Sequence, residues 1–141
     1  MNDDTRRMAE LTMSGYGCSQ ILLILALESE GRSDPDLVRA VSGLHGGVGQ
    51  TGKLCGALTG GACALGLRLG RAEPREQENA RLTPLVEMLA GWFEAEQGAR
   101  FGGVDCAAIA GTDPRLRMQR CPGIVLAVHR KVQELLALEA R

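Results

Sequence analysis

A chain that carries the segment CSQILLILALESE, beginning at Cys18, has few ways to fold. The run Ile21 to Leu27 is apolar on every side. As a helix it has no wet face, so other elements must enclose it. It is far too short to span a bilayer. The segment therefore predicts a buried central helix with the remaining helices packed around it.

The rest of the sequence supplies those helices. Residues 4–13 read as a short first helix, broken by Gly15 and Gly17. Gly31 ends the central helix. Ser33-Asp34-Pro35 is a helix start with Pro near the first position, and that helix runs out in the glycine-rich stretch Gly43 to Gly52. A helix over 52–69 follows, rich in Gly and Ala. Each interior Gly costs a helix roughly 1 kcal/mol relative to Ala, so several together predict close approach of a neighbouring backbone or a bound group. RAEPREQEN is an exposed connection. Thr83-Pro84 opens an amphipathic helix whose stripe is Leu82, Leu85, Val86, Leu89, Trp92 and Phe93, with Gly98 as its stop. VDCAAIAG predicts one short helix capped by Asp105, TDPRLRMQR a loop, and Cys121-Pro122 the start of the last helix. That last helix carries Val125, Val128, Val132, Leu135 and Leu136 inward. His129, beside Arg130 and Lys131, reads as surface, and His45 as a solvent-exposed turn residue. No alternating β pattern of useful length occurs. The expectation is an all-α, single-domain bundle of about six helices over residues 1–141.

With 141 residues, 45% of them apolar and only 3% aromatic, the core must be aliphatic. A net charge of −1 offers no basic face for nucleic acid. The polar start MNDDTRRMAE has no apolar h-region, so the expected location is cytoplasmic, away from membranes. In a reducing compartment the five cysteines point to metal ligation or redox chemistry before structural disulfides.

HGGVGQTGKLCGALTGG, residues 45–61, contains a G-x-x-x-x-G-K skeleton. A phosphate loop needs a preceding strand and a Ser or Thr after the Lys to hold Mg²⁺. Leu54 follows Lys53 here, and the preceding LVRAVSGLH is helical in pattern, so no nucleotide site is expected. The cysteines carry the alternative. Cys18, Cys55, Cys106 and Cys121 each fall at or near an expected helix start, where the helix dipole favours thiolate, the form that binds metal or attacks. Cys63 stands outside that set and reads as structural. None pair as C-x-x-C, and no C-x-x-C-H haem attachment motif is present, so covalent haem is not expected.

Cys18 in YGCSQILL, Cys55-Gly56-Ala57-Leu58-Thr59-Gly60 after the glycine-rich turn, Cys106 in GGVDCAAIAG, and Cys121 make an ordered pattern. With the continuation ALGLRLG, the chain resembles the C-GCAxxG-C-C family over roughly residues 8–136. The resemblance implies a redox-active or cluster-binding protein of a kind common in anaerobic bacteria and archaea. Related regions occur beside haem-binding segments in split-Soret cytochromes. Three functions stay open at this point. The four thiols hold an iron–sulfur cluster or other soft metal, with Gly47, Gly49, Gly52 and Gly56 bringing backbone N–H groups to the sulfurs. Alternatively they form redox disulfides, such as Cys106 with Cys121 and Cys18 with Cys55. Or the chain is a helical accessory subunit with packing cysteines. The redox partner protein is unspecified, and the small-residue helix 52–69 is compatible with homo-oligomers.

Overall fold

The computed structural model describes residues 2–139 and is all-α. Helix α1 spans Asp3–Met13, α2 Cys18–Ser29, α3 Pro35–Ala40, α4 Gly56–Leu69, α5 Leu82–Phe93, α6 Cys106–Ile109 and α7 Pro114–Glu139. Among the described residues no β-strand forms, and no helix is long and apolar enough to cross a membrane.

The central helix behaves as its sequence requires. Every residue of α2 from Ile21 to Leu27 is buried. Ser19, also fully buried, donates its hydroxyl to Val41 O at 2.8 Å, so its polarity is satisfied inside the core. Helix α4 lies against α2, and its glycines explain how close. A Cβ at Gly60 would stand 2.9 Å from Ser19 Cα, and one at Gly61 2.6 Å from the Val128 side chain. Around Gly60 and Gly61 the surface of α4 is thus filled within the chain, by α2 and α7. Phe93, Leu85 and Leu89 of α5 and Val128, Val132 and Leu135 of α7 complete the core.

Three boundaries differ from expectation. Helix α4 starts at Gly56 rather than 52, because residues 52–55 are tied by backbone bonds to residues 104–107, with Leu54 bridged to Asp105. Cys55 N–H donates to Val104 O, Cys106 N–H to Lys53 O and Ala107 N–H to Gly52 O. Gly98 does not stop α5. A π-turn over Glu94–Gly98 carries the chain on to Phe101, and Gly102, at φ +79°, ends it. TDPRLRMQR is not a loop, and Cys121-Pro122 does not open the last helix. Pro114 is the first residue of α7, and Asp113 just ahead of it accepts the Arg115 N–H at 2.9 Å. Pro122 sits inside that helix, where its ring removes one backbone bond, the one to the Met118 carbonyl.

His129 is the fourth correction. It is buried, with Nε2 3.5 Å from the Asp4 carboxylate on α1. Burial lowers its pKa, and the half-exposed Asp4 only partly opposes this. A group kept neutral in the fold stabilises fully above its unfolded pKa of about 6.5. That contribution is lost as pH falls below this value, because only the unfolded chain then gains the proton. Thermal melts of the wild type should therefore fall between pH 7.5 and 5.5 more steeply than those of His129→Gln. Equal slopes would contradict this role.

Candidate functional site

The glycine-rich stretch folds as a left-handed turn. Gly46, Gly47, Val48, Gly49 and Gln50 all have positive φ. Such a turn is open to Gly and strained for a β-branched residue, so Val48 is tolerated only because its surroundings fix it. Two bonds close the turn, Gly52 N–H to Gly46 O and Lys53 N–H to Gly47 O. Gly47 is required because a Cβ would run into the Lys53 backbone. The turn delivers Lys53 and Leu54 to the extended segment that pairs with Asp105. Cys55 and Cys106 are thereby tied to each other through backbone.

Cys55 occupies the N-cap position of α4, Cys18 is the first residue of α2, Cys106 the first of α6, and Cys121 lies on the middle of α7. All four line one cavity of ≈230 Å³. Its walls are mainly apolar, from Ile21, Ile109, Ile124 and Val125, and the exposed Tyr16 and Met118 mark its open side. A Cβ at Gly56 would lie 2.5 Å from Cys18 Sγ, so that glycine is what leaves room for the Cys18 thiol. Cys63 does not line the cavity.

The glycines expected to serve the thiols divide. Gly56 lines the cavity; Gly47, Gly49 and Gly52 do not, and the Gly52 N–H is already taken by Gly46 O. Gly46, which the sequence did not single out, lines it instead, and its N–H biases Cys18 toward thiolate. His45 is in the wall rather than out in solvent, packed against Gly17. Asp105 stands at the cap position of α6 but makes no side-chain cap bond.

At Cys18, Cys55 and Cys121 burial outweighs the expected thiolate bias. Burial raises the Cys18 pKa, pushes Cys121 up to about 11 and Cys55 up to about 12. The N–H groups of Ala57 and Leu58 favour thiolate at Cys55, although no side-chain cap bond forms there. They are outweighed by the loss of water, and neighbouring thiols repel one another's charge. Cys121, mid-helix, has no helix terminus to help it. Iodoacetamide at pH 8 should therefore label Cys55 and Cys121 in the folded, metal-free protein at least tenfold more slowly than in the unfolded chain, as read by peptide mass mapping. Equal rates would refute the burial effect. Among the described residues, no three His, Cys, Asp or Glu side chains close tightly enough for a single metal ion.

The family model described as "Putative redox-active protein (C_GCAxxG_C_C)" matches residues 16–135. The chain belongs to this family. The C_GCAxxG_C_C match spans the glycine-rich turn and all four cavity cysteines. No curated protein and no solved structure matches the chain.

Proposed function

We propose that Cys18, Cys55, Cys106 and Cys121 together hold an iron–sulfur cluster for electron transfer. The observation that carries this reading is the shared cavity: four thiols on four elements line one apolar space. Soft thiolates in that number suit such a group. The thiols border a shared space instead of closing on a single point. Burial of the Cys18, Cys55 and Cys121 thiols slows disulfide chemistry. Protonated thiols attack disulfides slowly, whereas a metal displaces the proton outright.

When bound, a cluster supplies one-electron transfer at a potential set by charge, hydrogen bonding and solvent exposure. The chain's own contribution is positional. Ile21, Ile109 and Val125 exclude water, Gly56 leaves room for Cys18, and the N–H groups of Gly46 and Ser19 support the Cys18 thiolate. Anaerobic reconstitution with ferrous iron and sulfide should give a brown protein with both elements bound in stoichiometric amounts. A colourless, folded protein that takes up neither would overturn the reading. A reversible two-electron thiol oxidation without metal would assign the cavity to disulfide chemistry.

A further inference from the structure

Three arginines stand in the first turns of α7, and their partners differ. Arg115 pairs with Asp113 at 3.9 Å. Arg120 donates to Ile109 O at 2.6 Å and its guanidinium lies over the Phe101 ring at 4.8 Å. Arg117 is left with one long bond, from Nη2 to Gly111 O at 3.4 Å. Its Nε is buried without a hydrogen-bond partner, and among the described residues no carboxylate pairs with it. A cation with a buried, unsatisfied donor costs stability unless an anion answers it.

Arg117 also lines the cysteine cavity. It precedes Cys121 by four residues on one continuous helix, so the two share a face one turn apart, and helical side chains lean back toward the N-terminus. The Cys121 side chain therefore leans toward the Arg117 turn. Lys53 and Arg115 do not line the cavity.

We propose that Arg117 is the counter-cation of the four-thiolate site, a role that rests on the cluster reading above. Four thiolates around iron and sulfide leave net negative charge in an apolar cavity, and Arg117 is the positive group built into its wall. It acts through charge, as a positioning residue, and the extra negative charge of the reduced state is what it stabilises most.

Wild type, Arg117→Met and Arg117→Lys are compared with and without reconstituted iron and sulfide. In a mediated redox titration, Arg117→Met should lower the ratio of reduced to oxidised protein at fixed potential about tenfold, roughly 59 mV for one electron. Arg117→Lys should recover most of that ratio. Melting adds a readout that ordinary packing would not produce. Arg117→Met should melt no lower than wild type when metal-free, since an unanswered buried donor is removed, yet lower when loaded. If Arg117→Met does not fold, Arg117→Gln takes its place, with the same expected losses. A loaded variant with wild-type potential and stability overturns the role of Arg117 alone. A wild-type chain that takes up no iron overturns the cluster reading and this role with it.

Discussion

Gly60→Val is expected to destabilise the fold by about 3 kcal/mol, at the upper end of what overpacking costs. The reason is local and rigid. The added Cβ would meet Ser19 Cα at 2.9 Å and Ser19 O at 3.0 Å, and both are backbone atoms of the central helix. Neither can swing aside as a flexible side chain would. Moving α2 away from α4 would also pull Cys18 from Gly56 and open the cysteine cavity. Gly66, six residues further along the same helix, is the internal control. A Cβ there meets nothing within 4 Å, and its backbone lies outside the left-handed region. Gly66→Ala should therefore stabilise by about 0.5–1 kcal/mol through helix propensity and a less flexible unfolded chain. Chemical denaturation of the two variants reads opposite signs. If both variants destabilise equally, the glycines of α4 are not there for close approach.

The second large effect concerns the thiols. Cys18→Ser, Cys55→Ser, Cys106→Ser and Cys121→Ser should each lower the iron and sulfide retained after reconstitution at least tenfold, since a hydroxyl is a hard, protonated substitute for a soft thiolate. Cys63→Ser should retain wild-type amounts, because Cys63 lies outside the cavity. Metal analysis after desalting reads all five, and a circular dichroism spectrum of each variant verifies that its helices are intact. Equal retention in all five would contradict a four-thiolate site.

Much of this architecture follows directly from local sequence chemistry. An apolar run with no wet face had to become the buried α2, and Ser33-Asp34-Pro35 opened α3 as a cap followed by Pro should. Two boundary errors came from reading single residues as breakers. Gly98 yielded to a π-turn, and Pro122 is carried inside α7. The true start of α7 had a local signal, since Asp113-Pro114 repeats the cap-and-Pro device of Asp34-Pro35. Giving weight to that signal would have placed Arg117 and Cys121 on one helix face. Gly46 and His45 were harder to find. Their place in the cavity wall depends on a left-handed turn, and a run of glycines alone does not specify one. The thiol pKa values were misjudged because helix termini are visible in a sequence and burial is not. His129 failed for the same reason, since its partner Asp4 lies on a helix far away in sequence.

The proposed cluster makes four cysteines from four separate elements one metal-binding unit. X-ray absorption at the iron edge of the anaerobically reconstituted protein tests it most directly. The expected result is a first shell made only of sulfur, with a second shell of neighbouring iron. A first shell of nitrogen or oxygen, or iron scattered singly over the surface, would contradict it.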